Sequence, residues 1–283
     1  MSTRKRPSLK DIVRAITPPV LWSAAAFVRR AFGVRKLPSF HGVRPLILPE
    51  SGPAVFEYYA GRPNTPVFFV PAQKLRYPGG MAFSYQQHHF MRYYADGRST
   101  LEHYYRNHQP KNIFEQHFLT APAYGVVDGS PWLVADDGGA KVFSATGKNE
   151  QDPKHGRQQY GPMSDEGVTF EAERLSVSAR SIEAEGYDPA KGGYPLGYIL
   201  LDTNGEWVFY VATGRHRAAA LVHLGHKEIP VSFVPYYPRF IRKSDSANWP
   251  MVQFGALPED EALRIFAAYF RKPDEELPVW SKK

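Results

Sequence analysis

The chain is predicted to adopt an α+β fold, a mixed sheet with helices in the C-terminal half, preceded by a mixed, loop-rich N-terminal region. Three observations lead there. Between residues 166 and 240 the apolar runs follow the order helix, strand, strand, helix, strand. Asn204-Gly205 divides two of these runs and signals a hairpin, because both residues tolerate the positive φ that a tight β-turn needs. The 25 Pro and 23 Gly among 283 residues imply many turns and irregular connections.

Composition narrows the chemistry. With no cysteine, disulfides, thiolate catalysis and Cys-ligated zinc are excluded. The 18 Phe, 17 Tyr and 5 Trp are a heavy aromatic load. The net charge of +7 suggests a polyanion partner until it is located. Residues 1–36 hold nine Lys/Arg against Asp11 alone, a net +8, so the rest of the chain carries 26 basic and 27 acidic residues. A near-neutral body makes DNA a less favoured partner than a small anion.

Taken in order, residues 1–36 are read as a basic amphipathic segment. Leu9, Ile12, Val13 and Ile16 fall at helical spacing, Pro18-Pro19 interrupts, and a second apolar stretch ends at Arg29-Arg30. It is shorter than the ~20 apolar residues of a membrane span. Its expected partner is an anionic membrane surface, with packing on the body as the alternative, which would place the protein in the cytoplasm at the inner face of a membrane. Residues 37–165 form the mixed region. Pro38, Pro45, Pro49 and Pro53 mark an extended lead-in, and 67–70 reads as a buried strand between Pro66 and Pro71. Helices are expected at 85–94 and at 99–107, the latter with Ser99 and Glu102 as a capping box, and a short one around Ile113, Phe114 and Phe118.

His88, His89, His103, His108, His117 and His155 match no zinc-ligand spacing and read as half-buried structural residues, so no metal site is assigned. Asp136-Asp137-Gly138-Gly139 reads as a hairpin turn after Trp132-Leu133-Val134, and 144–168 as a long polar connection.

Residues 166–240 carry the functional signal. A helix is expected over 171–182, strands over 194–201 and 207–211, a helix over 218–224 stopped by Gly225, and a strand over 229–234. Where the second strand hands over to the helix stands Thr213-Gly214-Arg215-His216-Arg217. Unpaired N–H groups and the positive end of the dipole lie at a helix start, glycine allows close approach, and Arg and His add donors for phosphate oxygens. Residues 241–283 supply a docking loop at Trp249, Pro250 and Phe254 and a final helix opened by Pro258-Glu259-Asp260-Glu261.

The run Arg174-Leu175, Ser181-Ile182, Gly186, then 211–221, Leu224-Gly225 and Ile229-Pro230-Val231 resembles the ParB/sulfiredoxin superfamily over about residues 170–235. That resemblance implies a ParB/sulfiredoxin-like mixed sheet that binds nucleotides, with Thr213, Gly214, Arg215, His216 and Arg217 as the phosphate cradle. Sulfiredoxins carry a cysteine where this chain has Arg215, so their chemistry is excluded. ParB proteins place an acid and two arginines in the turn, and a DNA-binding helical region follows; here only 45 residues remain after Pro238. Serine kinases of the superfamily need a carboxylate base, for which Glu171, Glu173 and Glu183 stand near in sequence.

The expected function is therefore nucleotide binding (ATP, ADP or CTP, with Mg2+), extending to a nucleotide-dependent phosphotransferase or NTPase near a membrane surface with Glu171 or Glu173 as the base. The alternative is a non-catalytic DNA-binding or nucleotide-sensing regulator of the ParB type.

Overall fold

Two apolar cores, one on each face of a single sheet, organise the molecule. The computed structural model describes residues 47–48, 52, 54–55, 66–123, 129–133, 155–235 and 237–281. The basic segment 1–36, the turn at 136–139 and the polar stretch 144–154 lie outside the described residues. Among the described residues no helix is long and apolar enough to cross a membrane.

The strands are β1 (Ile47–Leu48), β2 (Val67–Pro71), β3 (Leu75–Tyr77), β4 (Met81–Ala82), β5 (Leu196–Leu201), β6 (Trp207–Thr213), β7 (Glu228–Phe233) and β8 (Phe240–Arg242). They form one mixed sheet in the order β1-β2-β7-β5-β6-β3-β4. β8 pairs with the second half of β5, through Ile199↔Phe240 to Leu201↔Arg242, while β7 pairs with its first two residues. β5 and β6 form the antiparallel hairpin expected from Asn204-Gly205, with Leu201 opposite Trp207 and Gly205 at φ 86°. Strands from 37–165 and from 166–240 thus belong to the same sheet.

Alternation along β6 explains the two cores. Trp207, Phe209 and Val211 face one cluster and Val208 faces the other. The first cluster is covered by α1 (His89–Asp96), α2 (Arg98–Asn107), α4 (Asp165–Glu185) and α6 (Arg215–His223). The second is covered by α3 (Ile113–Gln116), α7 (Pro250–Gln253) and α8 (Glu259–Ala267), with Trp132 and Trp249 packed edge-on at 5.2 Å; α5 (Pro189–Gly192) is a single turn before β5.

Several boundaries differ from expectation for identifiable reasons. α4 begins at Asp165, six residues early, because Ser164 Oγ accepts the Gly167 N–H at 3.0 Å and Asp165 and Glu166 occupy the positive first turn. α2 begins at Arg98 rather than after Ser99. Gly97, at φ 84°, ends α1 and starts α2, and Glu102 accepts from Arg98 at 2.8 Å instead of closing a capping box. α1 starts at His89, where the His88 ring accepts the Phe90 N–H at 3.0 Å. α6 starts three residues early, so the Gly214 turn is itself the first turn of the helix.

Gly197 sits where β5 bulges against β6. A Cβ there would overlap the Tyr210 carbonyl oxygen and lie 2.7 Å from the Phe209 ring, and both atoms are held by the sheet. Gly197→Ala is expected to destabilise the fold by about 3 kcal/mol. Urea unfolding would show this as a lowered midpoint, and an unchanged midpoint would mean the β5–β6 spacing is not required.

Candidate functional site

β6 delivers the chain to Gly214 at φ 76° and ψ 22°, the left-handed region where glycine is tolerated without strain. Pro195 packs against it: a Cβ would meet Pro195 Cα at 2.8 Å and Arg217 Nη2 at 2.9 Å. The Ala218 N–H closes the first helical bond onto the Gly214 carbonyl at 3.0 Å, and no described side chain caps the turn. Thr213 is exposed at the end of β6.

The three side chains that follow go three ways. Arg215 turns back along β6, with Nε 3.4 Å from the Val211 carbonyl and its guanidinium 5.4 Å from the Tyr77 ring centre; it also lies against the Tyr210 hydroxyl. His216 enters the interior, stacks on Phe90 at 5.1 Å, and meets Glu171 on α4. Arg217 bridges outward, one Nη against Gly192 and the other against Gly214, beside Tyr187. Its Nε is buried with no hydrogen-bond partner, and no acidic side chain pairs with it among the described residues. Burial lowers its pKa, opposed in part by Tyr187.

Glu171 is 1% exposed, and its carboxylate is covered by donors. His216 Nε2–H donates to Oε1 at 2.8 Å, Gln158 Nε2 donates to both oxygens at 2.8 and 3.2 Å, and Arg174 Nη1 lies 3.7 Å from Oε2. Burial pushes the Glu171 pKa up, but His216, Arg174 and Gln158 outweigh it and hold the group ionised. Burial is also the largest influence on His216 and keeps the imidazole neutral against the pull of Glu171. A neutral ring that donates from Nε2 to a carboxylate presents Nδ1 as its acceptor.

The fold thus unites two of the sequence-derived site residues, Glu171 and His216, which are 45 positions apart. It does not bring the other acids in: Glu173 and Glu183 are exposed on α4, away from the turn. Sequence reasoning missed Gln158, Tyr77 and Tyr105. The Tyr77 and Tyr105 hydroxyls donate to the Gln158 carbonyl at 3.1 and 3.0 Å, and Tyr104 donates to the Gln159 carbonyl at 2.8 Å. Only the Gln158-Gln159 pair in a polar stretch could have pointed there, and such pairs are common on surfaces.

His88 and His89 lie behind this cluster, fully buried, stacked at 4.9 Å, with His88 Nε2 and both His89 nitrogens lacking partners. Among the described residues no group of three or more His, Asp or Glu is arranged to hold a metal ion. The donors at the turn suit an anion: an unpaired guanidinium, an uncapped helix start and a glycine. The Glu171 carboxylate, which meets the turn through His216, already has its partners, so a magnesium ion would depend on the phosphates it accompanies. No protein-family model, curated protein or solved structure matches the chain.

Proposed function

We propose that the chain binds a phosphate-bearing ligand, a nucleotide such as ATP, ADP or CTP with Mg2+, at the Gly214 turn. The observation that carries this reading is Arg217, a half-buried guanidinium with no counter-ion among the described residues, set beside an uncapped helix N-terminus. A cation removed from water without a partner is unfavourable, and a phosphate would relieve that while completing the helix's first turn. Thr213 and the backbone around Gly214 would supply further donors.

In its enzymatic form this reading is a nucleotide-dependent phosphotransferase or hydrolase. The covered oxygens of Glu171 favour a different division of labour from the one expected from sequence. His216 would take the proton of an attacking hydroxyl, with Glu171 fixing its tautomer. The same coverage favours, as a second reading, a nucleotide-sensing protein without turnover. Formation of ADP from ATP or CDP from CTP under Mg2+, followed with water alone and with added hydroxyl acceptors, separates the two.

Binding itself is tested by thermal shift with ATP, ADP, CTP and GTP, with and without Mg2+. At ~100 times Kd a nucleotide should raise Tm by about 5–10 °C. Arg217→Ala should abolish the shift, and a full shift in that variant would place the site elsewhere. For residues 1–36 we propose contact with an anionic membrane surface, based on their +8 charge. Removing them should abolish co-sedimentation with phosphatidylserine vesicles, whereas unchanged sedimentation removes that reading.

A further inference from the structure

Residues 155–163 form a short hairpin whose tip reaches inward beside the Gly214 turn. Its base is closed by the Gly156↔Met163 bridge, a Ser164 N–H to His155 carbonyl bond at 3.1 Å, and the His155–Ser164 side-chain contact at 3.0 Å. Gly161 N–H donates to the His108 carbonyl at 2.8 Å. The tip is held almost wholly by polar contacts. Two main-chain carbonyls, those of Gln158 and Gln159, receive the hydroxyls of Tyr77, Tyr104 and Tyr105, and the Gln158 carboxamide fills the face of Glu171 beside His216. No residue from 155 to 162 belongs to either apolar core, and Met163, at the base, is the hairpin's one side chain packed against a core. Residues 155–160 are half-buried, and Gly161 is buried against the Tyr105 backbone.

The partners are of the opposite kind. Tyr77, Tyr104, Tyr105 and Glu171 are each at most 2% exposed and sit on β3, α2 and α4, deep in the fold. Four buried polar groups from three elements converge on one spot, and a surface hairpin with little apolar anchorage occupies it. Buried hydroxyls and carboxylates require partners, so whatever displaces the tip must replace its hydrogen bonds.

We infer that the 155–163 hairpin is a displaceable plug, and that its Gln158–Gln159 tip stands in for a second ligand beside the anion-binding turn. That ligand is a small polar molecule which offers oxygen acceptors to the tyrosine hydroxyls and an N–H or O–H donor to Glu171, as an amide or an alcohol does. The inference deepens the phosphate reading by adding an acceptor subsite next to it, and rests on that reading only for what the neighbouring turn binds.

The test uses the full chain without nucleotide, so its outcome is independent of whether the turn binds one. In native-state hydrogen exchange the Gly161 amide should exchange at least ~100-fold faster than the Val208 and Phe209 amides, with no dependence on low urea, as a local opening does. Exchange of Gly161 only with those core amides, and with their urea slope, would overturn the plug. The absence of cysteine leaves histidine as a clean chemical reporter. Diethyl pyrocarbonate should modify His216 at least ~10-fold faster in Gln158→Ala than in the wild type, while His117, buried against Tyr269 of the opposite core, keeps its wild-type rate. Equal acceleration at both histidines would mean general loosening, and no acceleration at His216 would mean the tip does not guard it; either result overturns the inference.

Discussion

Lowering the pH from 7 to about 4.5 is expected to unfold the domain, with buried histidines rather than carboxylates as the groups that drive it. Among the described residues His88, His89, His108 and His117 are buried in neutral form. Burial lowers His108 to about 4 and His117 to about 3, the latter despite its bond to the Ile113 carbonyl. Burial also lowers His88 and His89 well below the ordinary range, aided for His88 by His216 and Arg215 and for His89 first by His88. In the unfolded chain each titrates near 6.5. Below that pH the unfolded chain gains protons that the folded chain refuses, so stability falls as pH falls. Each such histidine contributes a slope of up to ~1.4 kcal/mol per pH unit, and four together approach ~5 kcal/mol per unit below pH 6. A typical margin of ~5–15 kcal/mol is consumed within one to three units.

Tm followed by circular dichroism between pH 7.5 and 4.5 measures this directly, and a flat profile down to pH 5 would refute it. His89→Phe isolates one contributor. The ring lies flat on Tyr104 at 3.9 Å and its nitrogens lack partners, so phenylalanine keeps the stack and removes the titration. The variant should lose about one quarter of the slope and be the more stable protein at pH 5.

Glu171→Ala should destabilise the fold by about 3–5 kcal/mol, because it strands buried donors that the carboxylate now satisfies. His216 Nε2–H and Gln158 Nε2 would face a cavity between α4 and α6. Glu171→Gln keeps the volume and one acceptor and should lose roughly half as much. Adding His216→Phe to Glu171→Ala should recover part of the loss, since the ring still stacks on Phe90 and no imidazole donor is left. Urea unfolding of the single and double variants measures the coupling. A loss below about 1 kcal/mol for Glu171→Ala would show that the pair is not the polar link between the two helices.

How much could be read beforehand follows the range over which each feature is encoded. The β5–β6 hairpin was legible because Asn204-Gly205 fixes its own backbone. Gly225, at φ 85°, ends α6 with the His226 N–H on the Leu221 carbonyl at 3.1 Å, as a glycine after an apolar run suggests. The short strands β3, β4 and β8 were not legible. Two or three residues carry no period; β3 and β8 exist because β6 and β5, far along the chain, offer them hydrogen bonds, and β4 is the short antiparallel partner that β3 then gains at the edge. The capping-box reading at Ser99 failed because Gly97 already supplied the turn.

The candidate site divides the same way. By itself the sequence determined the Gly214 turn, a glycine followed by basic residues between a strand and a helix, because turn and helix-start chemistry is local. Only the tertiary structure decided where its side chains point: His216 inward to Glu171, Arg215 back to Tyr77, and Arg217 to a place without a counter-ion among the described residues. It alone separated Glu171 from Glu173, two residues apart on α4 and so on different faces, and it alone brought Gln158 between Glu171 and the tyrosines. Backbone conformation is set largely by near neighbours, whereas burial, ionisation and the partners of a polar group are set by whichever distant segments pack around it.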